Sequence, residues 1–83
     1  MRTFYLSTSK SCHVNQYEVE GETYSDLVSY GKRVAWYNHT ENYVEVMGYY
    51  SPTTTRHINL FLDFYGYDKM TSIELKQIKD HTK

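Results

Sequence analysis

Through the first half of the chain, apolar and polar residues alternate with a period of two, the spacing that gives a strand one buried and one open face. Met1 to Ser7 alternates weakly, with Phe4 and Leu6 on one side and Thr3 and Tyr5 on the other, and reads as a short strand. The polar stretch Ser7-Thr8-Ser9-Lys10-Ser11 is a loop. Val14 to Glu20 alternates again, with Tyr17 and Val19 expected to face the core and Gly21 to end the strand. Residues 23–31 carry two patterns: Tyr24, Leu27 and Val28 share helical spacing behind a capping-box-like Thr23-Tyr24-Ser25-Asp26, while Leu-Val-Ser-Tyr is β-like. The strand is the expectation, turning at Ser29-Tyr30-Gly31-Lys32. Arg33–Tyr37, the polar turn 38–42 and Tyr43–Met47 then predict a hairpin, with Val34 and Trp36 facing inward against Val44 and Val46.

After residue 50 the period lengthens to that of a helix. Ser51 suits the N-cap, Pro52 the first helical position, where its missing N–H costs nothing, and Gly66 the left-handed residue that closes the helix. Ile58, Phe61, Leu62 and Tyr65 form its central apolar stripe, widened by Leu60 and Phe64. Thr71-Ser72-Ile73-Glu74 has the capping-box form and predicts a second, peripheral helix over 71–81, touching the body through Met70 and Ile73. The expected fold is α+β: one domain spanning 1–83, with an antiparallel sheet of three to five strands packed against one main helix and a second C-terminal helix.

Composition alters this picture at one point. Ten of the 83 residues are Tyr, against one Trp and three Phe. A ring with a polar tip can line the margin of a thin core or form a rigid anchor at an interface. Charge excludes more than it suggests: a formal net charge of −1 fits neither a dedicated DNA-binding basic domain nor an acidic mimic of DNA. No apolar run is long enough for a bilayer, and residues 1–8 lack the core of a secretory signal. With Cys12 the single cysteine, no internal disulfide can form, and a cytoplasmic protein is the simplest expectation.

Candidate chemistry is sparse. Cys12 and His13 are adjacent and would point to opposite faces of a strand, so they read as a surface pair and not as a nucleophile and its base. His13, His39, His57 and His81 have no metal-ligand spacing, and no metal or cofactor is expected. Glu18, Glu20 and Glu22 alternate, and read as a solubilising row on a strand. Ser51, Thr53, Thr54, Arg56 and His57 gather hydroxyls and cationic donors at a helix N-terminus, a candidate phosphate or carboxylate cradle. The competing reading is a simple N-cap, with His57 a buried, hydrogen-bonded histidine. Lys32 and Arg33 flank Trp36 and Tyr37, an arrangement compatible with stacking on single-stranded bases, but the glutamates on the same sheet make its field mixed.

The pattern Ser29-Tyr30-Gly31-x-x-Val34-Ala35, a strand pair, then Tyr50-Ser51-x-Thr53-Thr54-x-x-His57-x-x-x-Phe61-Leu62 resembles that of small proteins from bacteriophages and related mobile elements of Gram-positive bacteria. The resemblance covers residues 24–64. It implies a phage origin and, through it, a non-enzymatic protein that covers a functional surface of a host protein or protein–nucleic-acid complex, as anti-CRISPR inhibitors do. Contacts would come from Tyr30, Tyr37, Tyr43, Tyr49 and Trp36. Binding of nucleic acid or a nucleotide phosphate at residues 51–57 is the alternative, and the broad apolar arc of the main helix leaves homodimer formation open.

Overall fold

The computed structural model describes residues 1–8 and 11–78. Five antiparallel strands follow one another in sequence and in space: β1 (Arg2–Phe4), β2 (Cys12–Val19), β3 (Glu22–Ser29), β4 (Lys32–Asn38) and β5 (Tyr43–Val46). Helix α1 (Pro52–Phe64) packs across one face, and a short α2 (Ser72–Lys76) lies beside it. The architecture is α+β.

Local chemistry fixes each reversal. Glu20-Gly21 and Tyr30-Gly31 both have positive φ at both positions (50° and 84°, 51° and 79°), the requirement of a type I′ turn. These turns pin Val19 opposite Glu22 and Ser29 opposite Lys32. Asn38 shapes the longer β4–β5 turn by accepting the N–H groups of Thr40 and Glu41 on its side-chain oxygen.

Between Leu27 and Val28 the register slips: Leu27 opposes Ala35, whereas Val28 opposes Arg33. Val34 is the extra residue of a β-bulge. It turns into the core together with Ala35 and breaks the alternation along β4. Arg33 and Trp36 consequently share the face that α1 does not cover, although three residues of regular strand would place them on opposite faces. Trp36 therefore stands opposite Glu45 on the open face, and the valines of β5 meet Ala35 and Tyr37 instead.

β2 corrects a second expectation. Its inward residues are Cys12 and Val14, opposite Ser29 and Leu27, so Tyr17 and Val19 point outward and Val19 is 46 % exposed. Cys12 is fully buried and not a surface thiol, and burial raises its pKa against a hydrogen bond from Ser7 that lowers it. Glu18, Glu20 and Glu22 form no row, because the chain reverses at Glu20-Gly21.

α1 begins and ends as its sequence dictates. Ser51 Oγ accepts the N–H of Thr54 at 3.1 Å, and Pro52 occupies the first turn. At the other end Gly66 has φ of 82°, its N–H reaching Asp63 O and that of Tyr67 reaching Leu62 O, the paired bonds of a Schellman close. Ile58, Phe61 and Leu62 are buried, while Phe64 stays exposed near the sheet margin and packs edgewise on Tyr65. The amide of Asn59 clamps the linker to α2 by bonding both N–H and C=O of Met70.

The capping box of α2 is present, with Thr71 and Glu74 bonding each other's backbone. The helix is shorter than 71–81: the N–H groups of Gln77 and Ile78 bond three residues back, tightening the last turn, and residues 79–81 lie outside the described chain. Leu75, fully buried, anchors it together with Met70 and Ile78, and Ile73 points to solvent.

Candidate functional site

Two polar clusters hold the covered face together. Ser29 Oγ lies 2.9 Å from His57 Nδ1 and 3.0 Å from Thr54 Oγ1, joining the end of β3 to the first turns of α1. Four residues earlier, Ser25 Oγ accepts from the Tyr65 hydroxyl at 2.8 Å and lies 2.7 Å from His39 Nε2. Burial lowers the pKa of both histidines, helped at His57 by neighbouring Arg56. Each pair has the atoms of a serine–base couple, yet Ser25 and Ser29 are 0 % and 3 % exposed, so no substrate reaches either oxygen. Their role is to satisfy polar groups inside a small core.

This geometry dismantles the expected anion cradle. Ser51 Oγ is taken by its cap, Thr55 Oγ1 donates to Ser51 O, and Thr54 and His57 are buried on Ser29. Of the five residues, only Arg56 is fully outside, with Thr53 half-buried. The simple N-cap and the buried, bonded His57 describe the site.

Nor do the aromatic candidates form one surface. Tyr37 is only 8 % exposed: its ring stacks on Tyr65 at 4.3 Å and its hydroxyl donates to Asn42. It is a core residue, because Tyr37 lies opposite Ser25 on the covered face. Tyr30 is exposed at its turn, with its ring 5.9 Å from that of His57. Tyr49 is half-buried, with the Lys76 ammonium 4.8 Å from its ring. Trp36 and Tyr43 alone share the open face.

There they belong to a larger row. Tyr17 stacks on Tyr24 at 5.6 Å, Tyr24 meets Trp36 at 6.1 Å, and Trp36 meets Tyr43 at 5.6 Å, so four rings run in contact across β2, β3, β4 and β5. A carboxylate accompanies each tyrosine: Tyr17 donates to Asp26 at 3.1 Å, Tyr24 to Glu22 and Tyr43 to Glu45. Asn38 braces Glu22 at 2.8 Å, and Arg33 stands 3.7 Å from Asp26. Burial raises the Asp26 pKa, opposed by Tyr17 and Arg33. Tyr43 is raised chiefly by its bond to Glu45. Three carboxylates and one guanidinium leave the row negative.

Sequence reasoning missed Tyr17 and Tyr24 in this role. The signal was the inward pair Cys12 and Val14, which already assigns Tyr17 to the opposite side by parity. Among the described residues, no cluster of three or more His, Cys, Asp or Glu side chains could hold a metal ion. No helix among them is long and apolar enough to cross a membrane.

Comparison with known proteins places the chain without assigning it a task. The chain belongs to DUF8033, a family of unknown function. The family model matches residues 2–79, which include every strand, both helices and the whole aromatic row. No curated protein and no solved structure matches it.

Proposed function

We propose that this DUF8033 chain is a non-enzymatic binding protein that docks a partner protein on the open sheet face through Tyr17, Tyr24, Trp36 and Tyr43. The observation that carries this reading is the continuous contact of the four rings across four strands on a face left uncovered by either helix. A strand-borne aromatic row is rigid, so little side-chain freedom is lost on binding, and Tyr and Trp are the residues most enriched at binding hot spots. Glu22, Asp26 and Glu45 between the rings select the partner's chemistry. Arginine and lysine side chains can lie on the ring faces and reach the carboxylates, whereas a phosphate backbone would be repelled. A basic protein surface fits this face better than nucleic acid does.

The resemblance to phage proteins adds the direction of the effect: an inhibitor in the host cytoplasm, covering a basic functional surface of a host protein or complex, in the manner of anti-CRISPR proteins. The test is a pull-down from a Gram-positive bacterial lysate with the wild-type chain and with a Trp36→Ala/Tyr43→Ala variant whose circular dichroism is intact. A stoichiometric partner is expected with the first, reduced at least tenfold with the second and weakened by salt. Equal capture by both chains would remove the open face from the function. The inhibitor reading further requires that the purified partner lose its own activity when the chain is added.

A further inference from the structure

Away from the aromatic row, a cavity of about 610 Å³ opens between the start of β4, the segment 47–50 and α2. Its rim carries Lys32, Arg33 and Lys76, its sides Met47, Tyr49 and Tyr50, and among the described residues no carboxylate lines it. In a chain of net charge −1, three cations around one concavity are a local concentration that overall composition does not explain. Two of them are held in place: the Lys32 ammonium lies 5.8 Å from the ring of Tyr50, and that of Lys76 lies 4.8 Å from the ring of Tyr49. Arg33 lines the rim as well, with its guanidinium 3.7 Å from Asp26 on the open face. Buried Leu75 closes the floor beneath. The bulge at Val34 contributes as well, because its carbonyl receives the N–H of Met47 at 2.9 Å and so fixes the strand exit that carries Tyr49 and Tyr50.

We infer that this cavity binds a nucleoside monophosphate, its phosphate between Lys32 and Lys76 and its base against Met47 and the tyrosine rings. The dianion matches the cationic rim. The volume lies in the range of small-molecule sites and leaves far more room than a bare phosphate needs, and a flat base uses the aromatic and apolar walls. The site is separate from the helix start at 51–57 and shares only Arg33 with the open sheet face, and the variants below distinguish it from the protein-docking reading.

Isothermal titration of the full chain with adenosine monophosphate, adenosine and inorganic phosphate tests it. Saturable one-to-one binding of the nucleotide is expected, at least tenfold tighter than that of adenosine or phosphate. A Lys32→Ala/Lys76→Ala variant with unchanged circular dichroism should bind at least tenfold more weakly, and Trp36→Ala should bind as the wild type does. Nucleotide binding no tighter than adenosine's would remove the anion from the site; binding no tighter than phosphate's would remove the base. Absence of binding, indifference to the lysine variant, or an equal loss with Trp36→Ala would also overturn the inference.

Discussion

The two faces of this sheet divide their side chains in an unexpected way. The covered face contains Ser25 and Ser29 at its centre, bonded to Tyr65, Thr54 and two histidines, amid Val14, Leu27, Ala35 and Phe61. The open face displays four rings in contact, with carboxylates between them. Polar groups can be central inside because each has a partner, and no buried side-chain nitrogen or oxygen among the described residues lacks one. Rings can be outside because each tyrosine hydroxyl is tied to a carboxylate and each ring leans on the next. In a sheet this small, hydrophobicity alone does not say which face is the interior; the helix decides, through its apolar stripe and through Thr54 and His57.

The comparison breaks most readily at Phe61, the largest fully buried side chain. Phe61→Ala should cost about 3–5 kcal/mol. A domain of this length carries roughly 4–12 kcal/mol in all, so the loss is a large share of the total and should lower the melting temperature by about 12–40 °C, read by circular dichroism. A cooperative melt within a few degrees of wild type would mean that α1 contributes less to the covered face than its packing indicates.

A smaller loss is expected from the polar centre. Ser29→Ala leaves His57 Nδ1 and Thr54 Oγ1 without their shared partner in a dry site, a cost of about 1–3 kcal/mol. Replacing the whole cluster, Ser29→Ala with Thr54→Val and His57→Leu, should restore most of that stability in urea titrations, since no polar atom is then stranded. If the triple variant is weaker than Ser29→Ala alone, the cluster is a net source of stability. The same residues set a pH dependence. Burial holds His39 and His57 below their ordinary value of 6.5, so under acid conditions the unfolded chain takes up protons that the folded chain refuses. Their contribution is therefore full above about pH 6.5 and is lost as the pH falls through the two lowered values. Asp26 acts with the opposite sign, its carboxyl raised above 3.8, so its contribution improves as the pH falls. The melting temperature should be level near pH 7, decline below about 6.5, and decline less in the triple variant, which lacks His57.

Most of the fold can be read along the chain because its signals are local. Gly21 and Gly31 mark turns, Ser51, Pro52 and Gly66 bound α1, and Thr71 with Glu74 starts α2. What could not be read is relational. Trp36 was expected inside because Val34 is inside and two residues of strand share a face; the bulge at Val34 removes that parity, and a bulge has no side-chain signature here. Tyr37 was expected outside for the same reason. The helix-start cluster fails as a site because Ser29, distant in sequence, claims Thr54 and His57. The cationic cavity is assembled from three separate segments, 32–33, 47–50 and 75–78, none of which is distinctive alone.

The smallest effect on stability is expected where the proposed effect on binding is greatest. Tyr43 is 50 % exposed at the end of the row, touching Trp36 edgewise and bonded to Glu45. Tyr43→Thr keeps a residue of high strand propensity in the strand and removes one cross-strand aromatic pair, so it should cost only about 0.2–1 kcal/mol. Trp36→Ala, with two ring neighbours, should cost about 0.4–2 kcal/mol by the same accounting. If the row exists to bind, Tyr43→Thr should lower partner affinity by more than it lowers stability, and calorimetric titration against the captured partner compares the two directly. If instead the stability loss reaches that of Ser29→Ala while affinity is unchanged, the rings support the sheet in place of a second layer. The open face would then be structural, like the covered one.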